Sequence, residues 1–187
     1  MCEALGECSL EVIEIGRNRL ESKGAKALAS LLNKRQTLIK LDVQQNGIKK
    51  EGAIELLRSI GNNKNITELH LNDNWIKGEE AINILGSVIQ RCKGLRVLNL
   101  SDNNIGDILS IKLFEILAQE AIYLEELYYN YNELEQEAVI IKCLQCTLNL
   151  RSLKVLEMEG NGITEEIVEE YEGLLSKVQF KTNEEDN

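Results

Sequence analysis

Only a few residues in this sequence have the types and spacing that metal binding or redox chemistry requires. Cys143 and Cys146 are separated by two residues, which is the spacing of a zinc-binding or redox-active cysteine pair. A structural zinc ion needs two further ligands at sensible spacing, but His70, the only histidine, lies in a distant part of the chain. We therefore expect neither a metal ion nor a redox centre at these cysteines.

The other motifs that could carry chemistry are incomplete. Asp102-x-Asn104-x-Gly106 has the spacing of the start of a calcium-binding loop, but Leu113 occupies the position where the closing bidentate glutamate is needed. His70 has no serine or cysteine that the sequence places beside it, and the chain contains no glycine-rich phosphate-binding loop. The sequence therefore predicts no catalytic residue, no metal and no cofactor, and we expect the protein not to be an enzyme.

Six copies of one eleven-residue pattern organise the rest of the chain. Each copy has three apolar residues at the first, fourth and sixth positions, then an asparagine and a last aliphatic residue. The copies are LEVIEIGRNRL (10–20), LIKLDVQQNGI (38–48), ITELHLNDNWI (66–76), LRVLNLSDNNI (95–105), LEELYYNYNEL (124–134) and LKVLEMEGNGI (153–163). Their asparagines are spaced by 28 or 29 residues: Asn18, Asn46, Asn74, Asn103, Asn132 and Asn161. This regularity is typical of a leucine-rich-repeat solenoid.

Each repeat is predicted to contain one strand and one helix. Apolar and variable residues alternate before the asparagine, which is strand periodicity, and the asparagine then closes a turn. After the first asparagine, apolar and small residues recur at helical spacing: Gly24, Ala25, Leu28, Leu31 and Leu32. Stacked repeats of this kind place a parallel sheet on the concave side and helices on the convex side. The predicted fold class is therefore an α/β leucine-rich-repeat horseshoe of about six repeats.

Equivalent positions in the repeats also explain residues that look functional. A short amide side chain can satisfy the backbone groups of a turn, so we interpret the repeated asparagine as structural. Cys143 and Cys146 follow their asparagine at the same offsets as Leu57 and Ile60 in the second repeat. We therefore interpret both cysteines as core thiols.

The repeats also set the predicted boundaries. Residues 1–9 are predicted to be the remnant of a preceding repeat helix, residues 10–178 to form the six-repeat solenoid and residues 179–187 to form an acidic tail. Thr164 is expected to cap the last helix. Leu10 to Ile15 would form an apolar edge strand, which further N-terminal sequence or another chain would have to cover.

Charge and hydrophobicity narrow the class of partner. The 187 residues carry a formal net charge of -10, which suits a basic protein partner and argues against nucleic acid. No apolar run approaches the length of a membrane span, so we expect no membrane partner. The odd number of cysteines follows no secreted disulfide framework, which is typical of an intracellular protein.

The concave surface is the predicted binding region. Residues between the apolar strand positions project from it, and the turn residues beside each asparagine line its rim. Extended surfaces of this kind bind macromolecules. We expect the partner-binding residues to lie in the first three repeats: Arg17, Arg19, Gln44, Gln45, Asn72, Asp73 and Trp75.

Several stretches resemble one known family more closely than leucine-rich repeats in general. GRNRLE (16–21), KGAKALA (23–29), QQNGIKKEG (44–52) and LNDNWI (71–76) resemble the second half of the Ran GTPase-activating protein family. YNELEQEAV (131–139) and LKVLEMEGNGITEE (153–166) resemble its closing repeats, so the resemblance spans residues 9–175. It implies the small GTPase Ran in its GTP state as partner and a role in nucleocytoplasmic transport. It also implies a cytoplasmic protein, which is either free or associated with the nuclear envelope.

The resemblance does not extend to catalytic residues. The family's catalytic arginine and its glutamine-positioning asparagine belong to repeats before the GRNRLE unit, so no residue here takes those roles. We expect Arg17 and Arg19 to contact Ran rather than to act in catalysis, because the GTPase supplies its own catalytic glutamine. The alternative is a non-catalytic protein-interaction scaffold of the ribonuclease-inhibitor-like repeat class.

Overall fold

Strands and helices alternate along the whole described chain. The computed structural model describes residues 9–34, 36–176 and 178–182. Its strands are β1 (Val12–Glu14), β2 (Lys40–Asp42), β3 (Glu68–His70), β4 (Val97–Asn99), β5 (Glu126–Tyr128), β6 (Val155–Glu157) and β7 (Gln179–Lys181). Its helices are α1 (Glu21–Leu32), α2 (Lys50–Ile60), α3 (Glu79–Arg91), α4 (Asp107–Glu120), α5 (Glu137–Thr147) and α6 (Glu165–Leu174).

All the strands belong to one open parallel sheet, in the order β1 to β7. Neighbouring strands pair at equivalent repeat positions, so that Leu41 of β2 lies beside Leu69 of β3 and Leu69 lies beside Leu98 of β4. A helix connects each strand to the next, as parallel pairing requires. The predicted α/β horseshoe with its sheet on the concave face is confirmed.

The core lies between the sheet and the helices. The middle residue of each strand from β1 to β6 is buried, and the helices bury one apolar face against these residues. Burial of each leucine contributes roughly 1.5–3 kcal/mol. Cys143 and Cys146 of α5 are buried in this core, which confirms their interpretation as core thiols. Burial raises the pKa of both thiols, so neither is a ready thiolate.

The sheet continues one strand further than the six copies of the pattern predict. β7 pairs with β6, Phe180 is half-buried against the core, and the Lys181 ammonium lies 2.6 Å from the Glu157 carboxylate. Pairing satisfies backbone groups of β6 that would otherwise form an open edge. The strand therefore begins at the first residue of the predicted tail. Residues 183–187 of that tail, and residues 1–8 of the predicted helix remnant, lie outside the described residues.

The last helix begins as predicted. Thr164 is the N-cap of α6, and its hydroxyl accepts a hydrogen bond from the backbone N–H of Ile167 at 3.4 Å. Among the described residues, no helix combines the length and the apolar character that crossing a bilayer would need.

Candidate functional site

A buried asparagine holds the turn that follows each strand, and Asn103 shows the arrangement. Its Nδ2 group donates to three backbone carbonyls, those of Leu71, Leu100 and Ser101, at 2.9 to 3.1 Å. Its Oδ1 atom accepts from the backbone N–H groups of Asn74 at 3.2 Å and Ile76 at 2.8 Å. One side chain therefore closes its own turn and joins it to the turn of the preceding repeat.

The same bonds recur along the solenoid and form a continuous ladder. Asn46, Asn74, Asn132 and Asn161 are buried and bond to their own turn and to the preceding one. Asn18 is exposed, and its side chain donates to the carbonyls of Ile15 and Gly16 within its own turn. The predicted structural role of the asparagines is confirmed, and the bonds between repeats extend it.

The residues that flank these asparagines have left-handed backbone conformations. Arg17, Arg19, Gln45, Asp73 and Trp75 have φ values between 50° and 60°. This conformation costs a residue with a side chain roughly 1–2 kcal/mol. The buried ladder fixes the asparagine between each pair, so the turn holds the flanking residues in this conformation. The flanking side chains are thereby presented at the rim on a rigid backbone.

The structure joins four of the seven predicted partner-binding residues in two pairs, each of which spans neighbouring repeats. The Arg17 guanidinium donates from Nε to Gln45 Oε1 at 2.6 Å. Asn72 donates from Nδ2 to Gln44 Oε1 at 3.4 Å. Gln44 also covers Gly16, since a Cβ atom there would lie 2.7 Å from Gln44 Cγ. These contacts fix the orientation of side chains in the first three repeats.

The other three predicted residues lie on the same rim, and no hydrogen bond or ion pair between described residues joins them to one another. Arg19 makes no side-chain hydrogen bond or ion pair with a described residue, and it is exposed. Trp75 is 54% exposed, and the Lys77 ammonium lies 4.9 Å from the centre of its ring. Partial burial of the Asp102 carboxyl, and then the charge of nearby Asp73, raise the pKa of Asp102.

A charge network on the concave strands was not predicted. Lys40 lies between two carboxylates, 2.8 Å from Glu14 and 3.3 Å from Glu68. The hydrogen bond from Lys40, and then its charge, lower the pKa of Glu14, and the same hydrogen bond raises the pKa of Lys40. An acid in the first repeat, a base in the second and an acid in the third were the signal available in the sequence, although Lys40 and Glu68 align with Val12 rather than with Glu14.

Acidic side chains on the concave face of the later repeats accept hydrogen bonds from neighbouring residues. Tyr128 donates its hydroxyl to Glu126 at 2.7 Å, and Asn130 donates to Glu157 at 3.2 Å. Burial, and then the bond to Glu126, raise the pKa of Tyr128. The described residues contain no group of three or more histidine, cysteine or acidic side chains arranged to hold a metal ion. The surface therefore offers hydrogen-bonding and charged groups for recognition.

Comparison with known proteins agrees with the architecture. A family model described as Leucine Rich repeat matches residues 7–29, 34–57, 62–84 and 91–108. No curated protein sequence matches the chain.

Three solved structures have a similar fold. Internalin C2 of Listeria monocytogenes aligns with a TM-score of 0.64 and 19% identity over 96% of this chain and 64% of its own. Actin-binding site 2 of leiomodin-1 aligns with a TM-score of 0.61 and 16% identity over 81% of this chain and 83% of its own. TLR13, solved in complex with ssRNA13, aligns with a TM-score of 0.53 and 19% identity over 97% of this chain and 26% of its own. At these identities the similarity concerns the fold alone.

Proposed function

This chain is a leucine-rich-repeat protein, and from that premise we propose that it binds another protein across the rim and concave face of its first three repeats. The rim carries the proposal. There, Arg17, Arg19, Gln45 and Trp75 are exposed on turns whose backbone the asparagine ladder fixes. A rigid backbone lowers the entropy lost on association, so such side chains are good candidates for binding.

The partner that we propose is the small GTPase Ran in its GTP state, which would place the protein in nucleocytoplasmic transport. The similarity of GRNRLE (16–21) and the repeats after it to the Ran GTPase-activating protein family supports this partner. The net charge of -10 would also accelerate encounter with a basic surface. We expect binding without strong acceleration of GTP hydrolysis, because no residue here matches the family's catalytic arginine and asparagine.

Binding measurements on the intact chain test this proposal. Titration calorimetry would compare Ran loaded with a non-hydrolysable GTP analogue and Ran loaded with GDP. We expect tighter binding of the GTP form. Alanine at Arg17, Arg19, Gln45, Asp73 or Trp75 should weaken that binding, with Trp75 among the largest losses at about tenfold or more.

Exposed lysines away from the rim provide the matched control. Lys26→Ala and Lys64→Ala change exposed residues outside the rim, so they should leave the affinity unchanged. Circular dichroism would verify that each variant is folded. If all five rim variants bound Ran like the parent chain, the rim assignment would be wrong. If GTP-loaded Ran did not bind at all, only the interaction scaffold with a different protein partner would remain.

A further inference from the structure

A basic groove lies beside the rim on the side of the helices, outside the concave face. We call it the lysine–tryptophan groove and define it by Lys49, Lys50, Trp75 and Lys77. It is open and has a volume of about 790 Å³, and Glu51 is the acidic side chain in its lining. On a chain whose net charge is -10, a concentration of three ammonium groups around the only tryptophan is unusual.

The lysines of this groove are not used in ion pairs within the protein. None of the three makes a salt bridge with a described residue, whereas Lys40, Lys93 and Lys154 all do. The Lys77 ammonium lies over the exposed ring of Trp75. Lys50 reaches towards the start of α3, since its Cε would lie 3.8 Å from a Cβ atom on Gly78. The three ammonium groups therefore form no ion pair with a described residue, although Glu51 lines the same groove.

Helix stability does not explain these lysines. Lys49 is the N-cap of α2, Lys50 is its first residue, and Lys77 immediately precedes Gly78, the N-cap of α3. The start of a helix carries partial positive charge, so a cation there is unfavourable by roughly 0.3–1 kcal/mol at low salt. Every helix has an acidic residue in its first turn, including Glu51 in α2 and Glu79 and Glu80 in α3. Lys49, Lys50 and Lys77 add positive charge to two of these helix starts, and a binding role would account for it.

We propose that the lysine–tryptophan groove binds an acidic peptide segment of a partner protein. Carboxylates of the segment would lie against the three ammonium groups, and an apolar side chain would pack on the exposed ring of Trp75. A nucleic acid fits less well, because it is charged at every nucleotide and its chain beyond the groove would meet the acidic rim at Asp73 and Asp102, whereas a peptide can confine its carboxylates to the groove. The groove is distinct from the concave face and shares only Trp75 with the proposed rim, so this inference does not depend on Ran.

The single tryptophan gives a direct measurement of binding. A short synthetic peptide of Asp and Glu with one central Leu would be titrated into the intact protein while Trp75 fluorescence is recorded. We expect a saturable change in emission and an affinity that falls as salt rises. A peptide with the acids replaced by Asn and Gln should bind at least about tenfold more weakly.

Charge reversal locates the site. The triple variant Lys49→Glu, Lys50→Glu and Lys77→Glu should weaken peptide binding about tenfold or more. The control triple variant Lys26→Glu, Lys34→Glu and Lys64→Glu changes the net charge equally at exposed positions elsewhere, and it should retain most of the affinity. Equal losses in the two variants would overturn the proposal. Tighter binding of a single-stranded oligothymidylate than of the acidic peptide would overturn it as well.

The two proposals can fail separately. Arg17→Ala lies on the rim and outside the groove, so it should leave the peptide affinity unchanged while it weakens Ran binding. If Ran failed to bind but the acidic peptide still bound in a manner sensitive to Lys49, Lys50 and Lys77, the groove would stand without the GTPase. If the peptide failed to bind, the groove assignment would be wrong whatever Ran does.

Discussion

The side chain of Asn103 takes part in five hydrogen bonds from a fully buried position in a loop. Backbone groups in a tight turn cannot all bond to one another, and burial removes the water that would otherwise satisfy them. An amide offers donors and an acceptor on one short side chain, so it can serve both the turn of its own repeat and that of the preceding one.

Replacement of Asn103 by alanine should therefore be costly. The change leaves the buried N–H groups of Asn74 and Ile76 without their partner, and an unsatisfied buried group costs roughly 1–3 kcal/mol. The three carbonyls each lose one bond and keep another. We expect a loss of about 3 kcal/mol or more in the free energy of unfolding, because relaxation and water entry recover only part of the total. Urea denaturation followed by circular dichroism measures this loss.

Asn18→Ala is the matched comparison, because Asn18 occupies the equivalent position in the first repeat but is exposed. Water can replace its two side-chain bonds, so we expect a loss below about 1 kcal/mol. Similar losses for the two variants would show that the bonds between repeats contribute little to stability.

The sequence predicted the structural role of the asparagines but not the backbone conformation around them. Left-handed residues are usually recognised by glycine, and here Arg17, Gln45 and Trp75 occupy those positions. The available signal was weak, since glycine occupies only three of these flanking positions, Gly47, Gly160 and Gly162, and only Gly47 and Gly160 have positive φ. The conformation follows from the ladder bonds, which a reading of single positions does not include.

At the scale of the helices, α1 and α2 approach so closely that a side chain is excluded between them. A Cβ atom on Gly52 would lie 2.7 Å from Ser22 Cα, which is a backbone atom and cannot rotate away. Gly52→Ala should therefore force the two helices apart and lower the free energy of unfolding by about 1–3 kcal/mol. Thermal and urea unfolding would measure the change.

The control for Gly52 is Gly173, which also lies within a helix but has no neighbouring atom within 4 Å of the position that an added Cβ would occupy. There alanine should raise stability by about 0.5 kcal/mol, because it reduces the freedom of the unfolded chain without a clash. If both alanine variants changed stability in the same direction, packing between α1 and α2 would not explain the glycine.

The strands show which elements sequence reasoning can and cannot find. β1 to β6 follow from apolar alternation and the closing asparagine, and all six lie where the pattern places them. β7 has the residues Gln179, Phe180 and Lys181, with neither the leucines nor the asparagine of the pattern. It forms because β6 offers a row of unpaired backbone groups and Phe180 can pack on the core, and both conditions depend on the folded sheet.

At the scale of the whole molecule, each repeat contacts mainly its neighbours, so stability should vary along the solenoid. β3 and β4 have a paired strand on both sides, whereas β1 and β7 are the end strands of the described sheet. We expect the amides of β3 and β4 to exchange most slowly with deuterium and those of β1 and β7 most rapidly. Hydrogen exchange followed by mass spectrometry would test this order, and uniform protection would contradict it.

The identity of the partner is the least predictable property at this scale. The repeat pattern determines which positions are scaffold and which are surface, but scaffold residues contain no information about what the surface binds. The proposal of Ran rests on similarity in GRNRLE (16–21) and the repeats that follow. The groove around Trp75 is formed by residues of neighbouring repeats at the starts of α2 and α3, so no single repeat predicts it. Contacts between repeats, rather than any one repeat, create both candidate binding regions.

The left-handed turns also restrict how this surface can diversify. The ten non-glycine residues with positive φ in the described chain include no valine, isoleucine or threonine, which are the side chains least compatible with that conformation. In a combinatorial library aimed at new specificities, variants with valine, isoleucine or threonine at these positions would therefore be destabilised. The residue types found there are Asn, Asp, Gln, Glu, Gly, Tyr, Trp and Arg, and a library should draw on these. The same restriction would bias natural variation at the rim towards polar and aromatic contacts.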